Sequence, residues 1–150
     1  MEKKGNIKIL LADDDEDDRY FFRRALLDSG VGVELTAVSS GQKLLNCLLA
    51  APEPLIPDVI FLDINMPGMD GKVCLREIRR HEGFSAIPII MLSTSTRLGD
   101  IEETFRDGAN KYISKTKFYT DGAGWMLRLF PADWQDGLFK PLWEKFAFID

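Results

Sequence analysis

Val59-Ile60-Phe61-Leu62-Asp63-Ile64-Asn65-Met66-Pro67-Gly68-Met69-Asp70-Gly71 runs four apolar residues straight into a carboxylate, and a turn follows at once. So short an apolar run, bounded by Pro-Gly and Asp-Gly turn signals, reads as a strand buried on both faces. Asp63 then stands at the carboxyl end of a central strand, the edge at which open α/β sheets bind ligands. Aspartate is also a common turn residue. Asp63 alone therefore decides nothing, and the strands on either side of it must be read.

Upstream, Ile7–Ala12 reads as a first strand that stops at Asp13-Asp14-Asp15-Glu16-Asp17-Asp18. Acidic runs are commonly solvated faces, but Asp13 and Asp14 lie where an apolar strand ends, which partly buries them. Close carboxylates repel, and burial worsens the repulsion; a divalent cation relieves both costs. The later acids have a local explanation: Asp15 suits an N-cap with Asp18 at N3, and Glu16 and Asp17 favour the positive end of a helix dipole. That helix is expected to reach Ser29, with Phe21/Ala25 and Phe22/Leu26 as its i, i+4 pairs. A second strand spans Val33–Val38, and a helix from Gly41 carries Leu44, Leu45, Leu48 and Leu49. Pro52, Pro54 and Pro57 prevent that helix from continuing.

Downstream, Gly71–His81 reads as a helix and Ile87–Leu92 as a strand ending in Ser93-Thr94-Ser95-Thr96, with Pro88 tolerable at its start. Ile101, Phe105 and Ala109 mark a further helix, and Lys111–Ser114 a fifth strand ending in Lys115. Strand and helix thus alternate five times, which predicts a doubly wound α/β fold, a parallel sheet with helices on both faces and right-handed crossovers.

The strand ends deliver Asp13 and Asp14, Asp63, Ser93 and Lys115 to one edge. If strands one and three are neighbours at the topological switch point, three carboxylates converge there. Oxygen ligands without histidine or cysteine point to Mg²⁺. A lysine and a hydroxyl beside such a site suit a transferred phosphoryl group, Lys115 as a point charge and Ser93 as a hydrogen-bond donor.

Composition sets the outer bounds. The 150 residues suffice for one domain with a real core. A net charge of -5 argues against non-specific nucleic-acid binding. No apolar stretch approaches a membrane span and no signal-peptide core is evident, so the expectation is a cytoplasmic protein. Cys47 and Cys74 lack metal-site spacing and read as reduced, buried thiols. His81 reads as the end of an exposed helix rather than a phosphohistidine.

At these residues the chain resembles the receiver domain of bacterial two-component response regulators. The likeness rests on the acidic pair Asp13 and Asp14, the acceptor-like Asp63, and the turn Asn65–Gly71. Ser93, Tyr112 three before the lysine, and Lys115 complete it. It covers roughly residues 5–130 and extends, more weakly, to small stand-alone receivers such as the chemotaxis regulators and those paired with bacterial phytochromes. The resemblance implies a flavodoxin-like five-stranded sheet of order 2-1-3-4-5. It implies that Asp63 accepts a phosphoryl group from a sensor histidine kinase or histidine phosphotransfer protein. Mg²⁺ would be held by Asp14, Asp63, the backbone carbonyl of Asn65, and Asp13 through water. Lys115 and Ser93 would contact the phosphoryl oxygens, and Ser93 and Tyr112 would switch the face formed by helix four, strand five and helix five. No enzyme activity is implied beyond the domain's own phosphorylation and dephosphorylation, and no DNA-binding output domain or membrane partner is expected. One departure is Thr116, where the family usually has proline, often after a cis bond; a cis peptide there would cost about 3 kcal/mol.

Two other functions fit these residues less well. An aspartyl-phosphate phosphohydrolase would carry Asp-x-Asp after its first strand, whereas Asp63 follows the third and Asn65 replaces the second acid, leaving no general acid. A phosphorylation-independent pseudo-receiver would lack one of Asp14, Asp63 or Lys115. The expected division is a receiver domain over 1–130 and an aromatic-rich extension over 131–150. Trp125–Phe130 is the apolar part of a fifth helix that ends at Pro131. Beyond it come Trp134, Leu138, Phe139, Leu142, Trp143, Phe146, Phe148 and Ile149, a helical stripe interrupted by Gly137 and Pro141. So much aromatic surface calls for cover, either on the chain's own domain or in a homodimer.

Overall fold

The computed structural model describes residues 6–52, 55–134 and 142–149. Within them the strands β1 (Ile7–Ala12), β2 (Val33–Val38), β3 (Val59–Leu62), β4 (Ile89–Ser93), β5 (Lys111–Ser114) and β6 (Ala147–Phe148) form one sheet of order β2-β1-β3-β4-β5-β6. Every pairing is parallel. The helices are α1 (Glu16–Ser29), α2 (Gly41–Ala50), α3 (Gly71–Arg80), α4 (Leu98–Arg106), α5 (Lys115–Thr120) and α6 (Gly122–Leu129). The expected five-stranded order is present, and β6 is an addition to it at the β5 edge.

Strand alternation divides the core in two. Ile9, Leu11, Val59, Phe61, Ile90, Leu92 and Ile113 pack with Phe22, Ala25 and Leu26 of α1 and with Trp125 and Met126 of α6. Their neighbours Leu10, Ala12, Ile60, Leu62, Ile89, Met91 and Tyr112 pack with residues of α2, α3 and α4. This is the period-two reading of a strand buried on both faces.

Several local expectations are corrected. Phe21 is 51% exposed because the buried stripe of α1 runs through Phe22, Ala25 and Leu26; Leu49 likewise points to solvent at 58%. β4 starts two residues later than expected, at Ile89, and includes Ser93. α4 stops at Arg106, and Gly108 (φ 104°) turns the chain so that Ala109 is buried outside the helix. The single fifth helix is two, because Asp121 breaks the chain and its side chain caps α6 by accepting from Gly124 N. The stripe beyond Trp134 does not continue as helix into 142–149. Leu142 is extended, Trp143–Lys145 is a short 3₁₀ turn, and β6 follows. Pro54, Gly137, Leu138, Phe139 and Pro141 lie outside the described residues.

β6 seats the end of the chain firmly. Tyr112 N donates to Phe146 O at 2.9 Å, and the Phe146 ring is buried beside Phe105 of α4 (5.0 Å between centroids) and Tyr112 (6.3 Å). Cys47 and Cys74 are both free thiols, and burial pushes Cys74 up to about 12, far from a reactive thiolate.

Candidate functional site

β1 and β3 are neighbours in register, Ala12 against Leu62, and the next residues are Asp13 and Asp63. Asp13 N donates to Val38 O and Asp63 N to Ala12 O, so the ladder carries both aspartates to the carboxyl edge. Counting on by two from Leu11 and Phe61 gives Asp13 and Asp63, and from Ile113 gives Lys115; all three follow residues of the α1 side of the sheet.

Each strand-end aspartate closes a local turn with one oxygen: Asp13 Oδ1 accepts from Asp15 N (3.0 Å) and Asp63 Oδ1 from Asn65 N (3.3 Å). The second oxygen of each meets Lys115, whose Nζ lies 2.8 Å from Asp13 Oδ2 and 3.0 Å from Asp63 Oδ2. Lys115 opens α5, whose N-cap Ser114 accepts from Lys117 N, and its peptide to Thr116 is trans, so Lys115 reaches Asp63 without the cis bond. The helix after the turn must also come close. A Cβ on Gly71 would collide with Asp63 O and Ile64 Cα, while Gly68 takes φ 76° in the turn itself.

Burial and charge oppose one another here. Asp63 is 4% exposed; burial lifts its carboxyl to about 6 against the pull of Lys115. Burial also raises Asp13, again partly offset by Lys115. Burial disfavours the charge on Lys115, but hydrogen bonds to Asp13 and Asp18 with the Asp63 charge more than compensate, and its pKa rises.

Asp13, Asp14 and Asp63 can each place an oxygen within 4.8 Å of the others, with Asp14 on the exposed side. The donor set is oxygen only, which fits a hard divalent cation.

Ser93 ends β4 at this edge and Tyr112 lies two residues before the end of β5, both on the α4 side of the sheet. Ser93 is buried and its hydroxyl accepts from Ser95 N (3.1 Å); Tyr112 is fully buried and its hydroxyl donates to Ser95 O (2.8 Å). α4 is tied to α3 by Lys72 to Asp100 and Glu103, and by Arg76 to Glu103 and Asp107. His81 ends α3 on the exposed surface, against Phe84.

One contact was missed by the sequence reading. Asp18, assigned only to the first turn of α1, has Oδ2 2.7 Å from Lys115 Nζ. Its backbone carbonyl also accepts from the Tyr119 hydroxyl at 3.3 Å. The signal was present: counting back by four from Leu26 and Phe22 along the buried stripe lands on Asp18.

Residues 9–119 match the family described as the response regulator receiver domain. Among curated proteins, the transcriptional regulator NtrC of Klebsiella pneumoniae is 32% identical over 105 residues, 70% of this chain and 21% of that protein. The chain thus spans about a fifth of the length of the first curated relatives it matches. Among solved structures, the phosphorylated cyanobacterial phytochrome response regulator RcpA is 28% identical with a TM-score of 0.73, over 83% of this chain and 94% of that one. The Mn²⁺-bound response regulator Rcp1 is 26% identical with a TM-score of 0.72, over 83% and 93%. With the sheet order, the strand-end carboxylates and the lysine in place, this chain belongs to the response regulator receiver domain family.

Proposed function

We propose that Asp63 is the phospho-acceptor of a two-component system or phosphorelay, taking its phosphoryl group from a sensor histidine kinase or histidine phosphotransfer protein. The observation that carries this is the ion pair between Lys115 Nζ and Asp63 Oδ2 beside the oxygen-only acidic group. An Asp63 carboxylate oxygen attacks phosphorus in line. The O–P bond forms as the N–P bond of the phosphoimidazole breaks, and the freed imidazole nitrogen keeps the electron pair and later takes a proton. Asp14 and Asp63, with the Asn65 carbonyl and with Asp13 through water, would hold the metal. Mg²⁺ bound there supplies positive charge that offsets repulsion between carboxylate and phosphate. That the relative Rcp1 was solved with Mn²⁺ supports a divalent site. Lys115 then meets one phosphoryl oxygen and Ser93 another. Movement of Ser93 and Tyr112 would remodel the face of α4, β5 and the helices that follow.

The same reading makes residues 1–130 the receiver unit and 131–150 an extension, with a homodimer as its further use and a cytoplasmic setting. Among the described residues no helix is long and apolar enough to cross a membrane. The test is labelling with acetyl phosphate and Mg²⁺. The chain is expected to gain one hydroxylamine-labile phosphoryl group, and Asp63→Asn to lose it. Undiminished labelling of the variant would overturn the assignment.

A further inference from the structure

An ammonium group has three N–H donors, and the carboxylates of Asp13, Asp18 and Asp63 take all three of those on Lys115, at 2.8, 2.7 and 3.0 Å. Two of these partners are engaged elsewhere. Asp63 is the group that reacts, and Asp13 belongs with Asp14 to the acidic group that could hold a cation. Asp18 belongs to neither. It comes from α1 rather than from a strand end, heads the buried stripe of that helix, and makes the shortest of the three ion pairs.

We propose that Asp18 is a positioning residue for phosphoryl transfer, anchoring the Lys115 ammonium from the α1 side so that it stays within reach of Asp63 while its other contacts change. The proposal rests on Asp63 being the phospho-acceptor. When the phosphoryl group arrives, the carboxylate on Asp63 becomes an acyl phosphate and Lys115 exchanges that partner for a phosphoryl oxygen. The Asp18 bond does not have to break in this exchange. Without it, one N–H of a lysine whose side chain is only 7% exposed loses its acceptor. The ammonium then closes on Asp13 and Asp63, where it withdraws charge from the attacking oxygen and must be pulled away as phosphorus approaches. Misplacement of a reacting group by an ångström is enough to slow a step severely.

The experiment is a double-mutant cycle on the full chain, with acetyl phosphate and Mg²⁺ as probes. Asp18→Ala is expected to slow phosphorylation about tenfold, within the range that lost positioning produces. Asp18→Asn, which keeps an acceptor oxygen in the same shape, is expected to recover part of the loss and guards against misfolding of the alanine variant. Mg²⁺ affinity, measured by titration without phosphodonor, should stay within about twofold of wild type, because Asp18 acts through the lysine and not the metal. In a Lys115→Met background, removing Asp18 should cost nothing more. Wild-type or faster rates in both Asp18 variants would overturn the proposal. So would the same loss in the Lys115→Met background, or a parallel loss of Mg²⁺ affinity. Failure of the acceptor assignment looks different: Asp63→Asn would then still be labelled, whatever Asp18 does.

Discussion

Asp63 carries the sharpest conflict in the molecule, a carboxylate that the proposed phosphoryl transfer uses as an anion yet 4% exposed beside a second buried aspartate. Its consequence for stability has a definite sign. The folded pKa of about 6 lies above the ordinary 3.8, so between those values the folded state binds a proton that the unfolded chain has released. Stability contributed by this group is therefore present at low pH and falls as pH rises through about 6. Asp13, raised in the same direction, adds to the trend. In chelator, Asp63→Asn is expected to be as stable as wild type near pH 4 and more stable above pH 6, by at most about 3 kcal/mol for a shift of about two units. Chemical denaturation across that range checks it. A variant less stable than wild type at pH 7 would mean that the pairing with Lys115 outweighs burial.

Among the elements, the two faces of the sheet divide the chemistry. Asp13, Asp63 and Lys115 follow the α1-side positions of β1, β3 and β5, and α1 itself contributes Asp18. Ser93 and Tyr112 follow the alternate positions and meet the loop into α4, where Ser95 accepts from Tyr112 and bonds Asp100. Phe146, the residue before β6, extends this second face by packing on both Tyr112 and Phe105. Phe146→Ala is expected to cost about 3 kcal/mol, the lower end for a buried phenylalanine. Hydrogen exchange at the Tyr112 amide should quicken, since that N–H donates to Phe146 O. Unchanged exchange together with unchanged denaturation would show that Phe146 does not support the tyrosine.

At the scale of the whole molecule, the described part of the extension adds β6 to the chain's own sheet, yet Leu142 and Trp143 remain 55% and 43% exposed, Trp143 against Phe105 of α4. Leu98 at the start of α4 is also exposed. A homodimer through this face would cover them and bring the phosphorylation switch to the interface. Light scattering is then expected to give about twice the 17.0 kDa chain mass, with the balance between forms moved by phosphorylation. A mass of one chain at every concentration, in both phosphorylation states, rules the dimer out.

The sequence by itself determined the alternation of strands and helices, the strand order by way of the family resemblance, and the placing of Asp13, Asp14, Asp63, Ser93 and Lys115 at one sheet edge. These follow from short-range rules: apolar periodicity marks an element, and the residue after its last apolar position falls at its end. The break at Asp121 and the outward turn of Phe21 and Leu49 needed the structure, since periodicity defines a stripe only to within a residue or so. Tertiary structure decided the rest. Asp18 reaches Lys115 across 97 positions, and Phe146 covers Tyr112 from the far end of the chain. A local pattern tells which side of an element is buried. It does not tell which distant segment buries it, because that depends on how all the elements pack at once.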